Sequence, residues 1–306
     1  MRTLLILIVN LVGLNAYKPV VILHGILSGA ESMTLLVRHI EKLHPGTVVY
    51  NCDKFAAWYS LENDWWQVEQ FRDYIDQIGR LHPEGIIVLG YSQGGLLARA
   101  AIQSLPNHNV KTFISLSSPQ AGQYGSMCSI IDNFEIDLKL PCLLIALFTA
   151  SFLHLIFPDL AAMTAFELFY SRIGQHTSIG GYWNDPHQQP LYMKYSEFLP
   201  LINNEKLTSN STSFKMGMVR LDKLVLIGGP NDGVITPWQS SHFSYFNESL
   251  DVIPFNKRKI FLDDSIGLKT LLEAEKLIII VKPFVHHLSW HTNRKVINQV
   301  IMPYLD

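Results

Sequence analysis

From Lys18 onward, short apolar runs alternate with longer stretches whose apolar residues recur every three or four positions. The unbroken "PVVIL" of Pro19 to Leu23 predicts a strand buried on both faces, since a half-exposed strand would alternate apolar and polar residues. "GTVVYN" from Gly46 and "GIIVLG" from Gly85 predict the second and third strands. Between these two, Val68, Phe71, Ile75 and Ile78 follow the three-and-four spacing of one helical face. "GGLLARAAIQSL" predicts another helix, and "VKTFISLSS" from Val110 a fourth strand. "KLVLIGG" from Lys223 and "EKLIIIVK" from Glu275 add two more strands, "KIFL" reads as a short one before Asp263, and "WHTNRKVINQVIMPYL" predicts a closing helix. Strand and helix alternating at this spacing predict an α/β fold, a mostly parallel sheet with helices on both faces.

The alternation breaks between Gly122 and Leu221. This interval is aromatic-rich and irregular, so an insertion at about 122–221 is expected, an inserted cap region of the kind that builds binding surfaces. Within it, "LPCLLIALFTASFLHLIF" from Leu140 to Phe157 reaches only the lower limit of a membrane span. Pro141 and His154 interrupt it and no basic stop follows, so it reads as a buried or lid helix that contacts lipid rather than a stable span. At the other end, Arg2 precedes an apolar run from Leu4 to Leu14 with Ala16 after it, the order of a secretory leader over residues 1–16. The remaining 17–306 reads as one domain with its insertion.

Composition narrows the function. Apolar residues make up 48% of 306 and charged residues 16%, enough core for a large domain and too little charge for disorder. A net charge of −2 gives no electrostatic reason to expect nucleic acid as a partner. The sequons at Asn210 and Asn247 agree with a secretory route. Three cysteines, Cys52, Cys128 and Cys142, are too few for a disulfide framework, although Cys128 and Cys142 could pair if the chain between them folds back. No cysteine or histidine cluster has metal-ligand spacing, and neither metal nor cofactor is expected.

The chemistry centres on "IIVLGYSQGGLLARA", where a strand stops at Ser92 and a helix begins. Gly90-Tyr91-Ser92-Gln93-Gly94 fits G-x-S-x-G in the strand–turn–helix context that exposes a strained serine nucleophile, with glycines where strand and helix approach too closely for side chains. A serine hydroxyl needs a base, and the base an orienting acid. In this arrangement the chain order is Ser, then Asp or Glu after a late strand, then His. Asp232 follows "KLVLIGG" in a turn rich in Gly, Pro and Asn and is the chosen acid, with Asp263 and Asp264 as rivals. For the base, "PFVHHLSWHTNRKV" offers His286, His287 and His291. His291 is expected inside the last helix, solvated or at the core edge, and periodicity does not choose between the other two. An oxyanion needs two backbone N–H donors, expected from Gln93 and, in "ILHGILSG", from Ile26; His24 is expected to brace that loop.

With these residues placed, the chain resembles the palmitoyl-protein thioesterase family. The matching stretches are "KPVVILHG", "LHPGTVVYN", "GYSQGGLLARA", "FISLSSPQAGQYG", "GYWNDPHQQPLY", "LVLIGGPNDGVITPWQSS", "DSIGLKTLL" and "HHLSWHTNR". The resemblance implies an α/β-hydrolase fold, lysosomal residence and hydrolysis of fatty-acyl thioesters, acyl-CoA or S-acylated protein. It also puts the family's catalytic histidine on His287, followed by Leu288, with the nucleophile on Ser92 and the acid on Asp232. From Ser126 to about Ser178, where the family builds its acyl-binding region, no match is found. Two other readings use the same residues: a secreted lipase or carboxylesterase acting on oxygen esters, and a non-catalytic lipid-binding protein on the same scaffold.

Overall fold

The structure, a computed structural model, describes residues 17–124 and 169–306. The expected leader, the apolar run Leu140 to Phe157, and Cys128 and Cys142 lie outside the described residues.

Six strands form one sheet: β1 (Val20–Leu23), β2 (Val49–Asn51), β3 (Ile86–Tyr91), β4 (Val110–Leu116), β5 (Lys223–Gly228) and β8 (Leu277–Val281). Their order is β2-β1-β3-β4-β5-β8 and every pairing is parallel. A separate two-stranded ribbon pairs β6 (Tyr245–Phe246) with β7 (Val252–Ile253). This is the expected α/β-hydrolase architecture. Parallel neighbours need long crossovers, and α1 (Thr34–Leu43), α2 (Asp64–Leu81) and α3 (Gln93–Gln103) supply three of them.

The apolar runs explain the layering. Val21 and Leu23 of β1 pack on the side of α2 and α3, while Val20 and Ile22 pack on the side of α1 and the C-terminal turns. All four are fully buried, as an unbroken apolar run requires. The predicted stripe Val68, Phe71, Ile75 and Ile78 is the buried face of α2. Each such side chain contributes about 1.5–3 kcal/mol by leaving water. Asn63 caps the start of α2 by accepting the Trp65 N–H at 3.0 Å. Asn109 closes its far end, donating to the carbonyls of Gly79 and His82 at 2.7 Å each.

Between β4 and β5 the described chain forms α4 (Ser178–Tyr182), α5 (Gln189–Tyr195), α6 (Leu199–Ile202) and α7 (Ser211–Val219). After β7 come α8 (Lys259–Leu262) and α9 (Leu268–Glu273). "KIFL" is therefore α8 and not a strand. Four apolar or long residues do not define a period, and here Ile260 and Phe261, neighbours in sequence, both turn inward. The closing helix also starts later than expected, at Arg294, where Asn293 caps it by accepting the Lys295 N–H at 2.9 Å. Residues Ile297–Ile301 then widen into a π turn. Among the described residues no helix is long and apolar enough to cross a membrane.

Candidate active site

The chain runs from β1 outward to β2 and then returns to the other side of β1 as β3, so the winding direction reverses between β1 and β3. In open parallel sheets, the crevice beyond the strands' carboxyl ends at such a reversal is the usual ligand site. Ser92 follows β3 there, and His24-Gly25 follow β1 beside it. A methyl group added to Gly25 would lie 3.1 Å from the Ser92 Cβ.

Ser92 has φ 53° and ψ −129°, a strained backbone for a residue with a side chain. Its surroundings enforce the turn. A Cβ on Gly90 would meet the Gly95 Cα at 2.4 Å, and one on Gly94 would meet the His24 carbonyl oxygen at 2.2 Å. The glycines are thus required by close approach, as the motif suggested. The Ser92 N–H donates to the Leu116 carbonyl at 2.9 Å, holding the turn over β4.

The structure brings Ser92, His287 and Asp232 together from three separate loops. His287 Nε2 lies 2.9 Å from the Ser92 Oγ, and His287 Nδ1 lies 2.9 Å from Asp232 Oδ2 and 3.0 Å from Oδ1. His287 sits on a short 3₁₀ turn after β8, buried, while His286 is exposed and turned away. The His287 N–H also donates to the Asp232 carbonyl at 2.8 Å, so the two loops are joined by backbone as well as side chain. The Tyr91 hydroxyl donates to the His287 carbonyl at 2.9 Å, tying the His287 turn to the residue before Ser92.

Burial alone would push the Asp232 carboxyl up. The His287 ring beside it, together with hydrogen bonds from His287, Ser117 and the Ile235 N–H, outweighs that cost and brings it down to about 2. Trp290 Nε1 donates to Oδ2 at 2.6 Å, and the Val234 and Ile235 amides donate to Oδ1 at 3.1 and 2.8 Å. Ser117, directly after β4 with φ 46°, donates its hydroxyl to Oδ2. Sequence reasoning missed Ser117 and Trp290. A polar residue ending an apolar strand beside the sheet's reversal was the available signal for the first; the second stood inside the quoted "HHLSWHTNR".

His291 is not in the last helix. It precedes Arg294 in a turn and is buried, with its ring 4.5 Å from that of Tyr91. Burial, and secondarily the nearby His287, pull it down to about 4, so it stays neutral and is not solvated. The rivals Asp263 and Asp264 lie elsewhere: Asp263 pairs with Lys259, and Asp264 accepts the amides of Lys269 and Thr270 at the start of α9 and pairs with Lys215.

Gln93 directly follows Ser92 as the first residue of α3, and Ile26 directly follows Gly25, the residue that lies against the Ser92 Cβ. His24 holds the loop between: its Nδ1 lies 2.8 Å from the Gly25 carbonyl and its Nε2 3.0 Å from that of Lys54. Of the two sequons, Asn210 is exposed before α7, whereas the Asn247 side chain is half-buried and accepts the Asp251 N–H at 2.8 Å. Cys52 is buried, and burial pushes its thiol up to about 11.

The family model for palmitoyl protein thioesterase matches residues 19–287. The chain is 74% identical to the lysosomal thioesterase PPT2 homolog of Drosophila melanogaster over 291 residues, 95% of this chain and 93% of that one. It is 39% identical to lysosomal thioesterase PPT2 of Rattus norvegicus over 292 residues, 95% of this chain and 89% of the relative. Among solved structures, the carboxylesterase CesB of Bacillus subtilis superposes with a TM-score of 0.47 at 14% identity, covering 95% of this chain and 84% of the other.

Proposed function

The chain belongs to the palmitoyl protein thioesterase family and is a thioesterase of the serine hydrolase class, and on that basis we propose that it hydrolyses fatty-acyl thioesters in the lysosome through Ser92, His287 and Asp232. The single observation carrying the residue roles is the unbroken chain of contacts from Ser92 Oγ through His287 to Asp232, 2.9 Å at each link. The family supports the substrate class, and the lysosomal thioesterases among the relatives support the compartment.

The reaction then runs as follows. His287 Nε2 takes the Ser92 proton as Oγ attacks the thioester carbonyl carbon. Asp232 accepts from Nδ1–H, which fixes the tautomer that leaves Nε2 free and stabilises the imidazolium as it forms. Negative charge gathers on the former carbonyl oxygen, where the Ile26 and Gln93 amides donate to it. The C–S bond breaks and the leaving sulfur takes the proton from Nε2. Water next gives a proton to Nε2 and attacks the acyl-serine; the C–O bond to Ser92 breaks, the proton returns to Oγ, and the fatty acid departs.

Palmitoyl-CoA hydrolysis by the purified protein tests this reading, with a nitrophenyl ester assayed beside it. Ser92→Ala is expected to lose both thioester hydrolysis and covalent labelling by a fluorophosphonate. A Ser92→Ala protein that still turns over palmitoyl-CoA at the native rate overturns the assignment.

A further inference from the structure

Ile26 and Gln93 come from loops far apart in sequence, and an oxyanion site works only if both amides are held in place before charge develops. The backbone beside Ile26 is strained: Leu27 has φ 54°, left-handed for a leucine. It needs an anchor, and Ser60 provides one. The Leu27 N–H donates to the Ser60 Oγ at 2.7 Å, and that hydroxyl in turn donates to the Ala57 carbonyl at 2.6 Å. The Ala57 N–H donates back to the Ser28 carbonyl at 2.8 Å, so the Ile26 loop is pinned on both sides of Leu27.

The other half of Ser60 faces the second donor. Its carbonyl accepts the Gln93 Nε2 at 2.6 Å, along with Gln67 Nε2 and Ser178 Oγ at 3.0 Å each. The Gln93 Oε1 is in turn held by the Tyr182 hydroxyl at 3.1 Å. The Gln93 side chain therefore has both ends fixed, and with them the residue whose backbone N–H follows the nucleophile. Ser60 itself is 1% exposed, on the 3₁₀ turn Ala57–Leu61 between β2 and α2.

We propose that Ser60 is a positioning residue that sets the spacing of the two oxyanion donors, its hydroxyl fixing the Ile26 loop and its carbonyl fixing Gln93. This rests on the reading of Ser92, Ile26 and Gln93 given above. Ser60 touches no reacting atom. Its contribution appears only when the carbonyl oxygen moves into the position those amides define, so its loss falls on the transition state and not on substrate binding.

The test compares Ser60→Ala with the native protein in kcat and KM for palmitoyl-CoA. Two affinities accompany it: for a palmityl trifluoromethyl ketone, which forms an oxyanion on Ser92, and for the uncleavable palmityl thioether of CoA. Deleting an oxyanion donor outright costs about 10²–10³ in kcat, and displacing one is expected to cost about tenfold to a hundredfold. Ketone affinity is expected to fall with kcat, while KM and thioether affinity hold and Ser60→Thr recovers most of the loss. If Ser60→Ala does not fold, Tyr182→Phe removes only the hydroxyl that holds Gln93 and is expected to show the same split, more weakly. Native kcat in Ser60→Ala, or equal losses for ketone and thioether, overturns the proposal. A Ser92→Ala control separates the two levels: if it retains activity the triad reading fails, and if it is dead while Ser60→Ala is native only the role of Ser60 fails.

Discussion

Trp290 Nε1 donates to Asp232 Oδ2 at 2.6 Å, from three residues beyond His287 on the same loop. The indole is fully buried, so the bond lies in low dielectric and orients the carboxylate toward the imidazole. Trp290→Phe keeps most of the packing and deletes the N–H. A hydrogen bond to a charged group contributes about 1.5–3 kcal/mol, and losing part of it in the transition state is expected to lower kcat about tenfold. Steady-state kinetics on palmitoyl-CoA should show that fall with KM unchanged; a rise in KM alone would assign Trp290 to substrate binding.

Ser117 makes a second donor to the same oxygen, and its removal should appear in acid stability. Asp232 is held down at about 2 against an ordinary value of 3.8. A depressed carboxylate stabilises the fold above its unfolded value and loses that contribution as pH falls through its folded value. Ser117→Ala raises the folded value, so the contribution shrinks and disappears at higher pH. Melts between about pH 4 and pH 2 should show the variant unfolding earlier. Coincident curves would mean that the Ser117 hydroxyl does not hold the carboxylate.

Asp64 behaves in the opposite sense. It opens α2 almost fully buried, 1% exposed, with no hydrogen-bond partner for Oδ1 among the described residues, and burial raises it well above 3.8. A raised carboxyl contributes fully below its unfolded value, and stability is lost as pH rises toward the folded value. Asp64→Asn removes the ionisation. Its melting temperature is expected to exceed the native one increasingly from about pH 4 to pH 7. A constant difference across that range would contradict the burial argument.

His242 opposes Asp64. Burial pulls it down from 6.5 to about 4, against the pull of a hydrogen bond with the Ile280 backbone. An imidazole kept neutral in the fold costs stability as pH falls from 6.5 toward about 4, because the unfolded chain takes the proton first. His242→Asn should therefore flatten the melting curve against pH in that window, whatever it does to stability at neutral pH. An unchanged slope would place the acid sensitivity on other groups.

At Gly94 the prediction is steric. Alanine there would put its Cβ 2.2 Å from a backbone oxygen of His24 and 2.7 Å from that of Leu23, neither of which can yield as a side chain tip does. Overpacking typically costs about 1–3 kcal/mol, and here it also pushes the β1 loop off Ser92. Gly94→Ala is expected to lower the melting temperature and abolish hydrolysis together, as scanning calorimetry and an activity assay would show.

The sheet was legible because buried parallel strands leave long apolar runs, and all six predicted main strands formed. The convergence of Ser92, Asp232 and His287 was legible because a parallel sheet delivers successive loops to one rim. "KIFL" misled because four residues carry no period. His291 misled because the capping residue Asn293, which starts the last helix, lies beyond it. Ser60, Ser117 and Tyr182 were invisible for a different reason: their partners are 33, 115 and 89 residues away, and no local pattern encodes a contact at that range.

Cys52 has a chemical consequence for an enzyme that handles activated acyl groups. Thiolates capture thioesters by direct exchange, and a reactive cysteine near the substrate would become acylated itself. Cys52, the free cysteine among the described residues, is sealed in the core with its thiol at about 11, so it stays protonated and out of reach. The acyl group is thereby kept from straying onto that sulfur, and self-modification by its own substrate is closed off at this position.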